Sequence, residues 1–189
     1  MRGFVKPSFF VHPTLRRQYI LLLNENQIVM IVRNEMVIER SANDVWKVMG
    51  NGFAQIHVWS SFFKDSKPTG ESKFDGIDFS ARDTLVQGGG NTHTLDVFDA
   101  ENHVLSYTVT AGAPPFANKA EAEWALEIID EHSCRASIDV KIELKDVVPA
   151  EKAKEVNAWL GKSSENMLEE LKHYVETGNL HERKLKPQQ

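Results

Sequence analysis

The chain has 189 residues, of which 41% are hydrophobic and 26% are charged, and its formal net charge is -5. These values are typical of a folded globular protein, and they argue against disorder, collagen-like repeats and a coiled coil. The length favours one core domain with tails. Because an acidic chain offers no broad cationic surface to a phosphate backbone, we expect no nucleic-acid partner.

The cellular compartment is predicted from what the sequence lacks. The single cysteine, Cys134, excludes an intramolecular disulfide and a cysteine-based metal cluster. The apolar run at residues 19–23 is far shorter than the ~20 residues of a membrane-spanning helix, and polar residues rather than small ones follow it. We therefore expect a cytoplasmic protein without a transmembrane segment. The sequence leaves open whether it forms a homodimer.

Three regions are predicted along the chain. Residues 1–29 contain Pro7 and Pro13 and show no sustained helical or strand periodicity, which predicts a poorly structured or loosely packed N-terminal extension. Residues 30–178 are expected to form the folded domain. Residues 179–189 are expected to form a solvated, frayed tail.

The folded domain is predicted to begin with a β-rich strand at residues 28–39. Two short helices follow, the first capped by Ser41 or Asn43 and stopped by Gly50, the second near residues 53–57. Turn signals then separate six segments of about strand length. They lie at residues 60–67, 76–87, 92–99, 103–111, 118–130 and 134–144.

After Pro149 the apolar period changes from two residues to about 3.6, which predicts a long terminal helix that ends near Gly178. Ser163 and Ser164 interrupt its apolar stripe. These small side chains fit either a close helix crossing or room for a ligand. The order of elements predicts an α+β helix-grip fold, in which a curved antiparallel sheet of about seven strands wraps around the long helix and leaves an internal cavity.

Two stretches resemble a known superfamily. Residues 94–112 (TLDVFDAENHVLSYTVTAG) resemble the central hairpin of polyketide cyclase/dehydrase-like proteins of the START/SRPBCC superfamily, and of their distant plant relatives, the abscisic-acid receptors. Asp44-Val45-Trp46 is similar to the first-helix signature of the group. The resemblance spans residues 31–175, and it implies a cavity for a small, largely apolar ligand.

The resemblance implies that Lys64 anchors the acidic group of a ligand, with Phe62 on the same strand face. It also places Arg82 and His93 among the polar pocket groups. On strand alternation, Tyr107 lies on the same face as Leu105 and Val109, and His93 on the same face as Leu95, so these side chains are expected to face inward. On simple alternation over residues 77–86, however, Arg82 points outward unless a bulge resets the strand.

Two loops are predicted to gate the cavity. Gly88, Gly89 and Gly90 correspond to the mobile entrance loop of the resembling family, and Pro114, Pro115 and Phe116 belong to the loop that faces it. The triple glycine does not match a phosphate-binding pattern. Trp124, Trp159 and Met167 are expected to face the space between sheet and helix, either as core or as an apolar wall for a ligand.

The sequence is compatible with three functions. The first is a carrier or sensor that binds a lipid-like or aromatic molecule with an acidic group. The second is a cyclase or dehydratase in which His93 and Tyr107 transfer protons. The third is a protein-interaction module. The histidines show no HExxH or paired spacing, so we expect neither a metal site nor a cofactor.

Overall fold

A single antiparallel sheet dominates the computed structural model, which describes residues 16–24, 27–145 and 148–186. Its eight strands are β1 Arg16–Asn24, β2 Gln27–Ile38, β3 Asp65–Thr69, β4 Ala81–Val86, β5 Gly89–Asp99, β6 Val104–Ala111, β7 Ala117–Asp130 and β8 Ser133–Leu144. Their spatial order is β1-β2-β8-β7-β6-β5-β4-β3. Strands β3 to β8 therefore follow one another as neighbours, and β8 returns to pair with β2.

Four helical segments accompany the sheet: α1 Ala42–Met49, a 3-10 helix Phe53–Val58, α2 Ala150–Thr177 and α3 Glu182–Leu185. Ser41 caps α1 as predicted, since its side chain accepts a hydrogen bond from the backbone N–H of Asp44. Gly178 ends α2 in the left-handed conformation (φ 72°), and its N–H donates to the carbonyl of Tyr174 at 2.8 Å. The predicted helix-grip architecture is confirmed.

Strand β1 was not predicted. It lies at one edge of the sheet and pairs with β2 along its full length, from Arg16 opposite Glu35 to Asn24 opposite Gln27. The continuous apolar run at residues 19–23 has no two-residue alternation, so periodicity did not identify a strand there. Residues 1–15 of the proposed N-terminal extension lie outside the described residues.

Two predicted strands are shorter than expected. The segment at residues 60–67 becomes a strand only from Asp65, which leaves Phe62 and Lys64 in the irregular chain before β3. The segment at residues 76–87 becomes a strand only from Ala81. Alternation counted across residues 77–86 was therefore wrong, because the first four of these residues belong to a loop.

The hydrophobic core divides into two clusters. The larger joins α1, the 3-10 helix and the C-terminal half of α2 to strands β5 to β8 and to the end of β2, and it includes the fully buried Leu168 and Leu171. The smaller joins Val156 and Leu160 of α2 to β2, β7 and β8. Helix α2 therefore contacts the sheet along much of its length.

A buried polar contact fastens α2 to β2. The amide nitrogen of Asn34 donates to Ser164 Oγ at 2.5 Å and to the carbonyl oxygen of Gly161 at 3.1 Å. Both side chains are almost inaccessible to solvent. The small residue at position 164 is thus explained by a hydrogen bond to the sheet.

Candidate functional site

An open groove of about 1240 Å³ lies between the N-terminal half of α2 and the ends of four strands. The β4–β5 hairpin and the β6–β7 loop form one side, and the chain before β3 and the C-terminal segment form the other. The groove is lined by Ser61, Phe62, Lys64, residues 86–91 and 112–116, Lys152, Glu155, Val156, Trp159, Arg183 and Lys186. The groove lies at one end of the fold and is open to solvent, so it differs from the internal cavity that the sequence predicted.

The predicted gate residues lie at this groove. Gly88, Gly89, Gly90, Pro114 and Pro115 all line it. Only Gln87 and Gly88 form the turn, since Gly89 already pairs with Val86 and opens β5. The first predicted loop is thus a tight two-residue hairpin.

The two segments predicted to gate the site are in close contact. Gly112 adopts a left-handed backbone (φ 68°), and a Cβ at this position would collide with the carbonyl oxygen of Gly90. Glycine is therefore required here by the backbone angle and by the neighbouring strand. The contact fixes the spacing of the two segments on this side of the groove.

Aromatic side chains form an apolar wall. Phe62 and Trp159 pack with ring centroids 5.9 Å apart, and Phe62 also contacts the buried Phe63 edge-on at 5.1 Å. Trp159 was predicted to face the space between sheet and helix, and it lies at the groove with 45% of its surface exposed. Phe116 lines the groove from the β6–β7 loop.

The charge of the groove is opposite to that of the protein. Its described lining includes four cationic residues, Lys64, Lys152, Arg183 and Lys186, and one carboxylate, Glu155. Lys152 pairs with Glu155 at 3.0 Å. The ammonium of Lys64 has no ion-pair partner among the described residues. The groove therefore offers an uncompensated positive charge beside an apolar wall.

The C-terminal segment, residues 181–186, is docked rather than frayed, so the predicted solvated tail was wrong for these residues. Arg183 Nε donates to Glu170 Oε1 at 2.9 Å, and its Nη2 contacts Glu169 Oε2 at 2.7 Å. Lys184 Nζ donates to the carbonyl oxygen of Phe63 at 2.9 Å. The segment is thereby fixed to α2 and to the chain that carries Phe62 and Lys64.

Glu170 is the residue on which this docking depends. It is fully buried and accepts hydrogen bonds from the backbone N–H of Ser61 at 2.8 Å and from its hydroxyl at 2.6 Å, besides that from Arg183. Sequence reasoning missed it. A glutamate between the stripe residues Met167, Leu168 and Leu171 was the available signal, because a buried carboxylate requires partners.

Arg82, His93 and Tyr107 form a cluster in the interior, away from the described groove lining. Arg82 is 1% exposed, so it faces inward and not outward as simple alternation predicted. Its Nη1 donates to the carbonyl oxygen of Phe53 at 2.6 Å, and its Nε donates to His93 Nδ1 at 3.2 Å. The rings of His93 and Tyr107 stack with centroids 4.7 Å apart.

Burial sets the charge states of this cluster. It lowers the pKa of Arg82 to about 10, partly offset by Tyr107, so the guanidinium remains charged at neutral pH. Burial, reinforced by the Arg82 charge, holds the pKa of His93 well below its usual value of 6.5. His93 is therefore a neutral imidazole whose Nδ1 accepts from Arg82, which leaves its proton on Nε2.

The remaining predicted ligand contacts lie in or near the core. Leu95, Trp124 and Met167 are buried members of the larger cluster, and Ser163 is half-buried on α2. A void of about 10 Å³, lined partly by Arg82 and Trp124, has room for about one water molecule. The structure therefore brings Phe62, Lys64, Phe116 and Trp159 together at the groove. Leu95, Trp124, Met167 and Ser163 lie outside its described lining.

No group of three metal-ligating side chains is found in the part of the chain that the structure describes. Likewise, no described helix is both long enough and apolar enough to cross a bilayer.

The curved sheet, the long helix and the groove between them define a helix-grip protein of the START/SRPBCC superfamily. A family model described as polyketide cyclase / dehydrase and lipid transport matches residues 30–176, and the chain belongs to this family. Among curated proteins, none matches the sequence.

Solved structures show the same fold. A START superfamily protein from Mycobacterium smegmatis has a TM-score of 0.63 at 18% identity and covers 79% of this chain and 99% of its own. A protein from Thermobifida fusca has a TM-score of 0.63 at 20% identity, with 80% and 96% covered. Truncated norcoclaurine synthase from Thalictrum flavum has a TM-score of 0.62 at 15% identity, with 82% and 98% covered. At these identities the similarity extends to the fold alone.

Proposed function

We propose that the protein binds a small, largely apolar or aromatic molecule with an acidic group, and that it holds this ligand in the groove as a carrier or sensor. The observation that carries the proposal is the juxtaposition of an aromatic wall with the uncompensated ammonium of Lys64 in a groove of about 1240 Å³. A pocket with mostly apolar walls and a few placed polar groups is the usual form of a small-molecule site.

The apolar end of the ligand would contact Phe62, Phe116 and Trp159. Trp159 leaves 45% of its surface exposed although it lies on the apolar stripe of α2. An apolar ligand that covers this aromatic wall removes apolar surface from water, which contributes about 25 cal/mol of favourable free energy per Å² buried. This supports a hydrophobic ligand.

The acidic end would lie near Lys64. The backbone N–H of Lys64 donates to the carbonyl of Leu85 at 2.7 Å, which positions the residue beside the β4–β5 hairpin while its side chain stays exposed. A lysine ammonium at the rim of an apolar groove suits a carboxylate or phenolate, because it supplies charge without requiring a fixed bidentate geometry. The other predicted contacts, Arg82, His93 and Tyr107, would act indirectly. Ring contacts of 5.8 Å from His93 to Phe63 and of 5.1 Å from Phe63 to Phe62 connect their cluster to the aromatic wall.

The geometry supports binding more strongly than catalysis. A proton-transfer residue must reach the reacting group directly or through one water. His93 is buried, its Nδ1 is occupied by Arg82, and it is not among the residues that line the groove. Its low pKa also makes it a poor proton donor at neutral pH.

Native mass spectrometry of protein purified without added ligand tests the proposal, followed by denaturing extraction and identification of small molecules. We expect a retained carboxylic or phenolic compound whose occupancy falls about two- to fivefold in Lys64→Ala, as for the loss of one partly exposed charge contact. Lys162→Ala is the matched control, because Lys162 lies on α2 outside the described groove lining and forms a surface ion pair with Glu165 at 3.2 Å.

A neutral retained compound, or equal occupancy in the Lys64 and Lys162 variants, would contradict an acidic group held by Lys64. Turnover of the identified compound that is lost in His93→Ala, with its binding intact, would favour the cyclase or dehydratase alternative.

A further inference from the structure

The C-terminal segment, residues 181–186, contributes Arg183 and Lys186 to the groove lining. The matched family region ends at residue 176, so these two cations come from a part of the chain beyond it. We propose that this segment is a wall of the ligand site that selects molecules with an acidic group, with Lys186 facing the ligand and Arg183 as the positioning residue. The inference rests on the proposed function and deepens it.

The first support is the way Arg183 is held. Besides its contacts to Glu170 and Glu169, its Nη2 donates to the carbonyl oxygen of Asn166 at 3.2 Å. Three contacts from one planar guanidinium to successive turns of α2 fix its orientation. Since Glu170 is fully buried, release of Arg183 would leave that carboxylate with fewer donors. The contact therefore favours a docked segment.

The second support is the link between the two segments that form this side of the groove. Glu170 binds Ser61 as well as Arg183, and Lys184 binds the carbonyl oxygen of Phe63. The C-terminal segment and the chain that carries Lys64 are consequently fastened to the same carboxylate and to each other. The cations at positions 64 and 186 are thereby set on one rim.

The third support is the positive charge in the groove that is not neutralised by a strong ion pair. Arg183 is paired with buried and half-buried carboxylates. Among the described residues, Lys186 has only Glu182 as an ion-pair partner, at 3.8 Å, and both of these side chains are mostly exposed. Such a contact contributes little, because water screens it. Lys186 and Lys64 thus remain available to an anionic ligand.

A matched pair of fluorescent probes tests the inference. 8-Anilinonaphthalene-1-sulfonate and N-phenyl-1-naphthylamine share the same aromatic rings, and only the first carries an anionic group. We expect the full chain to prefer the sulfonate. Lys186→Gln and Lys64→Gln should each weaken sulfonate binding about two- to fivefold and leave the neutral probe unchanged. Lys162→Gln removes one positive charge outside the groove lining and should change neither affinity.

The positioning role of Arg183 is tested by amide hydrogen exchange as well as by binding. Arg183→Ala should speed exchange over residues 181–186 and at Ser61, and it should remove the preference for the sulfonate. Arg183→Lys should restore part of both effects, because an ammonium can reach one of the carboxylates but cannot reproduce the planar fork.

The outcomes separate the two proposals. If the Lys64 variant loses sulfonate affinity and the Lys186 variant does not, the C-terminal wall is overturned and the ligand groove stands. If the wild-type protein binds neither probe, the proposed function itself fails. Unchanged exchange over residues 181–186 in Arg183→Ala would overturn the positioning role.

Discussion

The guanidinium of Arg82 donates to Nδ1 of His93 at 3.2 Å, in an interior where no described carboxylate pairs with the arginine. The charge is instead surrounded by aromatic rings, with the Arg82 carbon Cζ 3.9 Å from the centroid of Phe53 and 5.1 Å from that of Tyr107. Cation–π contacts of this kind gain strength when water is excluded. The cluster joins β4, β5 and β6 to the 3-10 helix.

Arg82→Ala should lower the free energy of unfolding by about 3 kcal/mol or more. The change empties a large buried volume and leaves the carbonyl of Phe53 without its donor. Urea denaturation measures the loss. Arg135→Ala is the control, because Arg135 pairs with Glu127 at the surface, and a loss within about 1 kcal/mol is expected there. Equal stability of the two variants would contradict the structural importance of the cluster.

Stability should fall as the pH drops below about 6.5, in part because of His93. Its folded-state pKa is depressed by burial and then by Arg82, whereas the unfolded chain takes up a proton near 6.5. The unfolded state therefore binds more protons in this range, so acid favours unfolding, by at most about 1.4 kcal/mol per pH unit for one group.

Urea denaturation as a function of pH checks this expectation. His93→Gln should flatten the dependence between about pH 6.5 and pH 5, since glutamine can still accept from Arg82 but does not titrate. The exposed His132 provides the control, and His132→Gln should retain the wild-type slope. If His93→Gln retains it too, a neutral buried imidazole is the wrong description.

Gly112→Ala should destabilise the protein more than Gly76→Ala. Both glycines have positive φ, at 68° and 83°, so each substitution carries a backbone cost of about 1–2 kcal/mol. A Cβ at Gly76 meets nothing within 4 Å, whereas at Gly112 it collides with Gly90. The difference between the two variants in free energy of unfolding reports the contact between Gly112 and Gly90. Equal losses would show that this contact is easily relaxed.

Much of the fold could be predicted because its signals are local. The cap at Ser41, the alternation in β7 and β8 and the change of period after Pro149 each depend on neighbouring residues. Alternation could not predict the interior orientation of Arg82, which the resemblance implied, because the strand begins only at Ala81. Counting alternation requires the strand boundary to be known first.

The site was predictable only in part. Lys64, Phe62 beside it and Phe116 were expected on the basis of the resemblance, and Trp159 from the apolar stripe of the long helix. All four line the groove, although Phe62 and Lys64 precede the strand on which they were placed. Arg183 and Lys186 were missed because the docking of their segment depends on Glu170. Glu170 precedes Arg183 by 13 residues on a different helix, yet the two side chains are in contact. Periodicity carries no information about such long-range polar contacts.

The hydrogen bond between Asn34 and Ser164 sets the axial position of α2. The residues one turn away on either side, Leu160 and Leu168, are both buried, so the apolar stripe alone would tolerate a slide of about 5.4 Å. Such a slide would bring a leucine against the Asn34 amide and leave it unsatisfied at a cost of about 1–3 kcal/mol. This one polar pair therefore fixes the position of α2 along its axis relative to β2. This position sets how close Val156 and Trp159 lie to the strand ends that line the groove.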